Sequence, residues 1–130
     1  MGFDELFNIE LYAYLPHKEI KELISMLIPE MEALGFLASP RAEGYAFLPA
    51  GLPVATHIRA AVYEEAITVW VRGGSEITES SALLNISPQE YFENLMRGLR
   101  KVREIFMKFE SKGIVRAHIP GGNQHEGCDD

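Results

Sequence analysis

An α+β fold, with helices packed on one face of an antiparallel sheet, is the class this chain predicts, and three observations predict it. Residues 54–72 alternate apolar and polar side chains with period two, the signature of strands. Segments 17–34 and 88–112 instead repeat apolar residues at three- and four-residue steps, as amphipathic helices do. Shorter period-two stretches at 7–15 and 114–119 bracket both helices.

The first element, FNIELYAYL, sets Phe7, Ile9, Leu11, Ala13 and Leu15 against Asn8, Glu10, Tyr12 and Tyr14, which favours a strand. Phe3, Phe7, Leu11 and Tyr14 would line one face of a helix, the rival reading. In HKEIKELISMLIPEMEALG, Ile20, Leu23, Ile24, Leu27, Ile28, Met31 and Leu34 share a helical face between Pro16 and Gly35. Pro29 removes a donor to the Ser25 carbonyl, so a bend or a split into two short helices is expected there.

The segment FLASPRAEGYAFLPAGLP holds three prolines and reads as a loose hairpin or a covering loop. In VATHIRAAVYEEAITVWVR, a turn at Glu64 and Glu65 makes a hairpin pairing Val62 with Ile67, Ala60 with Val69 and Ile58 with Val71. The same register sets Arg59 opposite Trp70 and His57 opposite Arg72 on the other face. A one-residue slip would turn one strand inside out, which favours this register.

The linker SEITESSALLNI has room for a helical turn. Ser87, Pro88 and Glu90 then form a helix start with a capping box, and Gly113 supplies the stop for a helix expected to reach about Lys112. The last strand, IVRAHI, turns Val115, Ala117 and Ile119 inward and Ile114, Arg116 and His118 outward.

This order is the βαββαβ pattern of a ferredoxin-like two-layer sandwich, interrupted by the proline-rich insert. The alternative is a four-stranded antiparallel meander over Phe36–Arg72, flanked by helices. Residues 1–120 read as one α+β domain and 121–130 as a flexible tail.

A chain of 130 residues with 47% apolar content can bury a core without disulfides. Its single cysteine, Cys128, forms no internal disulfide. No basic leader and no membrane-length apolar run stand in the sequence, so a cytoplasmic protein is expected. Net charge of −7, from 19 acidic and 12 basic residues, argues against general nucleic-acid binding. Seven of the basic residues nevertheless fall between Arg97 and Arg116, against Glu104 and Glu110 alone. Glu93 four residues before Arg97, and Glu104 four before Lys108, would neutralise part of this stripe.

With the last strand beside the first, and the first beside the second hairpin strand, the open sheet face gathers Tyr12, Arg59, Trp70, Arg72, Arg116 and His118. Large aromatic and charged side chains together suggest a face that something covers. A second copy of the chain is the leading candidate; the proline-rich insert and single-stranded RNA are the others. RNA-binding signature motifs are absent.

Phosphate-loop, zinc-protease, serine-elbow and CxxC signatures are also absent. His57 and His118 are the only pair that invites acid–base chemistry, and the topology puts their strands at opposite edges, to be joined only across a dimer. His118, His125 and Cys128 offer zinc-type ligands, with Asp129 or Asp130 as further donors, but match no common spacing, so no metal is expected.

The expectation is a homodimeric regulatory or ligand-binding module that takes a small acidic ligand. Its rivals are an interface enzyme using His57 and His118, and an accessory subunit docking through the basic helix. The residues specify no cofactor.

Overall fold

The computed structural model describes residues 6–109 and, as backbone, 114–118. The fold class is α+β, with six strands and three helices among the described residues. In chain order these are β1 (Phe7–Tyr14), α1 (His17–Ala33), β2 (Phe36–Arg41), β3 (Gly44–Pro49), β4 (Ile58–Val62), β5 (Ala66–Gly73), α2 (Glu76–Leu83), α3 (Pro88–Met107) and β6 (Ile114–His118). All six strands join one sheet in the order β2-β3-β4-β5-β1-β6, every neighbour antiparallel. The strand reading of residues 7–15 prevails over the helical one.

Six strands replace the four expected, because the proline-rich insert is itself a hairpin. β2 and β3 pair from Phe36↔Pro49 to Arg41↔Gly44 and extend the sheet beside β4. The insert therefore adds an edge and does not lie across the open face. With β1 and β6 in the same sheet, a four-stranded meander is also set aside. The two-residue turn at Ala42 and Glu43 makes Arg41↔Gly44 the hydrogen-bonded pair, so Pro40 occupies the next, non-bonded position. Its ring nitrogen is turned to the free edge, where a missing N–H costs no ladder bond.

The β4–β5 hairpin has the register read from the alternation: Val62↔Ile67, Ala60↔Val69 and Arg59↔Trp70. Glu64 and Glu65 form its turn, and the Tyr63 N–H donates to the Ala66 carbonyl at 2.8 Å. The first strand starts at Ile58, however, and not at Val54. A buried polar cluster holds the preceding residues out of the sheet. The Thr56 N–H donates to Ser80 Oγ at 3.2 Å, and the Tyr91 hydroxyl donates to the Thr56 carbonyl. Ser80, in α2, and Tyr91, in α3, are fully buried, so this loop is tied to two helices at once.

Helix α1 runs through Pro29 without dividing. Pro16 directly precedes it, its carbonyl accepting from the Ile20 N–H at 3.0 Å, and Gly35 follows its end with a φ of 93° that favours glycine. The linker forms a full eight-residue helix, α2, where a single turn was anticipated. Helix α3 starts at the expected place, with the serine half of the capping box in position: Ser87 Oγ accepts from the Glu90 N–H at 3.1 Å, and Pro88 lies in the first turn. It ends at Met107, short of Lys112, and the Gly113 stop lies outside the described residues.

The core lies between the helices and one sheet face. Leu11, Ala13, Ile58, Ala60, Ile67, Val69 and Val71 from the strands meet Ile20, Leu23, Leu27 and Met31 of α1 and Leu95, Val102, Ile105 and Phe106 of α3. Burial of the Val, Leu, Ile, Met and Phe side chains among these stabilises by about 1.5–3 kcal/mol each before entropy is counted. Gly98 lets α3 approach closely: a Cβ there would stand 2.7 Å from Ile58 Cδ1.

Candidate functional site

On the opposite face, pairing aligns Ser39, Ala46, Arg59, Trp70, Glu10 and His118 in one row across all six strands. Arg72 and Asn8 pair in a neighbouring row, and Thr68, Tyr12 and Arg116 in another. Period-two geometry sends the side chains of β3, β4, β5 and β1 in these rows to one surface.

Trp70 is the centre of the arrangement. The Arg59 guanidinium, across the strand, and that of Arg72, two residues along, each lie 5.7 Å from its ring centroid. The negative π face of the indole attracts both cations, so two like charges are held around one ring. Neither guanidinium has an ion-pair partner among the described residues, and Arg59 Nε is buried without an acceptor. Glu10, the acid beside Trp70, accepts from Asn8 Nδ2 at 3.0 Å and from the Tyr12 hydroxyl. That hydrogen bond, then burial and the charge of Glu10, push the Tyr12 pKa up to about 12. Tyr12 and Tyr14 stack with ring centroids 6.3 Å apart.

The structure thus brings together Arg59, Trp70 and Arg72, with Tyr12 on the next strand through Glu10. Arg116 and His118 sit on β6, their Cα atoms in register with Tyr12 and Glu10. Arg41, at the end of β2, belongs to the same face but escaped the sequence reading. Alternation of Leu37, Ser39 and Arg41 against Phe36, Ala38 and Pro40 would have revealed it, had the prolines not suggested a loop.

His57 precedes β4 and is not paired with Arg72 in the strand register. Its Nδ1 lies 3.0 Å from the Val54 carbonyl; since a carbonyl only accepts, Nδ1 carries the hydrogen. The other nitrogen, Nε2, is buried without a hydrogen-bond partner among the described residues. Burial foremost, with the charges of Arg59 and Arg41 adding to it, lowers the His57 pKa from 6.5 against the opposing pull of the Val54 hydrogen bond. The imidazole is therefore neutral at pH 7.

A lowered folded-state pKa fixes a sign. As pH falls below 6.5, the unfolded chain takes up the His57 proton first, and stability drops until the lowered folded value is reached. Urea unfolding at about pH 7.5 and about pH 5.5 should therefore show a larger acid-side loss in the native chain than in His57→Gln. Equal losses in the two proteins would remove this role.

Strands β5 and β1 separate the strand after His57 from the strand of His118, roughly 14 Å at ~4.8 Å per strand. The two histidines are not a pair within one chain. Nor does the strand of His57 form the sheet edge expected for it, because β2 and β3 lie beyond. No three His, Cys, Asp or Glu side chains converge into a metal site among the described residues. His125 and Cys128, with the rest of the tail, lie outside those residues.

On α3, Lys101 pairs with Glu104 at 2.8 Å and reaches Glu30 of α1 at 3.7 Å. The anticipated four-residue pairs differ: Glu93 accepts from Gln89, and Arg97 donates to Asn94. No helix among the described residues is long and apolar enough to cross a membrane. The chain matches no known family model and no curated protein.

Proposed function

We propose that the protein is a small ligand-binding or regulatory module of the cytoplasm that homodimerises through its open sheet face and takes an anionic ligand group there. On this reading, β4, β5, β1 and β6 with α1 and α3 are a ferredoxin-like βαββαβ unit, and the β2–β3 hairpin is its insert. The observation that carries the proposal is Trp70 flanked by two guanidiniums that have no carboxylate partner among the described residues. Arginine and tryptophan are the side chains that dominate interface energies, and guanidinium groups recognise carboxylates and phosphates by paired hydrogen bonds. Two such faces brought together would repel unless an anion lay between them, so ligand and dimer are linked in this proposal.

Sedimentation velocity over a concentration series tests it. Trp70→Ala should weaken the dimer by about 30-fold, the effect of losing ~2 kcal/mol at an interface centre. Charge reversal at Arg100 and Lys101, on the opposite layer, should leave the dimer unchanged. A native chain that stays monomeric, or a Trp70→Ala dimer as tight as the native one, rejects the proposal.

A further inference from the structure

Beside the arginine pair, a cavity of about 430 Å³ opens between the start of β1 and the end of β5. Phe7, Asn8, Ala55, Thr56, Arg72 and Glu76 are among its lining residues. Its volume falls in the range of small-molecule sites. Arg72 belongs both to this cavity and to the Trp70 cluster and so links the two features.

The polar groups around the cavity carry opposite demands. Arg72 offers donors and positive charge. Glu76, at the first turn of α2, offers a carboxylate, yet no ion pair joins it to Arg72. Asn8 has its polar atoms turned away from the cavity: its Nδ2 donates to Glu10 at 3.0 Å, and its Oδ1 is enclosed by protein. A simple anion would answer Arg72 and leave Glu76 unserved. A ligand that also carries a cationic donor answers the carboxylate by a charge-assisted hydrogen bond, so the better ligand brings both charges. Phe7 and Ala55, with the methyl of Thr56, supply an apolar wall.

We infer that this cavity binds an α-amino acid with an apolar side chain. Its carboxylate pairs with Arg72, its ammonium group faces Glu76, and its side chain lies against Phe7. This rests on the reading that the Trp70 face takes an anionic group, and it names the molecule that carries that group.

Trp70 is the only tryptophan in the chain, so its fluorescence reports from beside the site. Fluorescence and isothermal titration calorimetry would be run with L-phenylalanine, L-leucine, 3-phenylpropionate, which lacks the ammonium group, and phenethylamine, which lacks the carboxylate. Each truncated analogue should bind at least about tenfold more weakly than L-phenylalanine. Arg72→Gln should bring L-phenylalanine down to the level of phenethylamine, and Glu76→Gln should bring it toward 3-phenylpropionate. Ala55→Phe, a change at an exposed wall position, should block both amino acids without unfolding the protein.

The inference is overturned if neither amino acid binds, or if L-phenylalanine binds Arg72→Gln and Glu76→Gln as it binds the native chain. Sedimentation of the same samples separates the two readings. Charge-dependent amino-acid binding to a monomer keeps the site and discards the dimer; a Trp70-dependent dimer that ignores both amino acids does the reverse.

Discussion

Replacing Gly44 by alanine should cost about 3 kcal/mol of stability, although its backbone is compatible with any residue. At the first position of β3, an added Cβ would stand within the van der Waals shell of the Ala60 carbonyl oxygen, with the Ala60 carbonyl carbon at 2.9 Å and Ala61 Cα at 3.1 Å. These are backbone atoms and cannot rotate away. To admit one methyl group, β3 must separate from β4, and the pairs Gly44↔Ala61 and Tyr45↔Ala60 open. Gly35 is the control. Its φ of 93° favours glycine but nothing lies within 4 Å of an added Cβ, so Gly35→Ala should cost only the dihedral strain, about 1 kcal/mol. Urea unfolding curves should rank the two losses in that order; a smaller loss at Gly44 would mean that β3 and β4 are not held this closely.

Phe106→Ala should cost about 3–5 kcal/mol, the range for emptying a fully buried aromatic position. Phe106 has no exposed surface and belongs to the core cluster that joins α3 to the sheet. Met107, one residue on, is 39% exposed, and Met107→Ala should shift stability by no more than about 0.5 kcal/mol. Similar unfolding midpoints for the two variants would contradict the inward orientation of this helix face.

These two positions differ in how far the sequence exposes them. Phe106 is part of a three- and four-residue repeat, and repeats of that kind report a helix face directly. Gly44 has no such signature, because its role comes from how near another strand passes, and distance between strands is a tertiary quantity. The β4–β5 register was legible for the same reason as Phe106: alternating burial leaves only one pairing that keeps Ile67 and Val69 inside. Arg59 and Trp70 followed from it.

The insert was legible only in part. Pro40 and Pro49 look like strand breakers in a list of residues, yet both fit strands when their nitrogens are not needed for the local ladder. Missing that cost the reading Arg41 and the true sheet edge. His57 was misplaced because the alternation of Val54, Thr56 and Ile58 continues smoothly through a point where buried bonds from Ser80 and Tyr91 take Thr56 out of the sheet. Those partners come from residues 24 and 35 positions away, beyond any local pattern.

Pro40 has a consequence at the scale of assemblies. A sheet that ends in an open strand can serve as a template on which further chains add side by side, without limit, toward fibrils. Along β2 such a newcomer would meet, at Pro40, an outward nitrogen with no hydrogen to give, and its own carbonyl there would go unanswered. Growth in the plane of the sheet is thereby interrupted on this side, while stacking of one sheet on another is untouched. The proline that looked like a defect in the strand thus acts as a chain terminator for polymerisation along this edge.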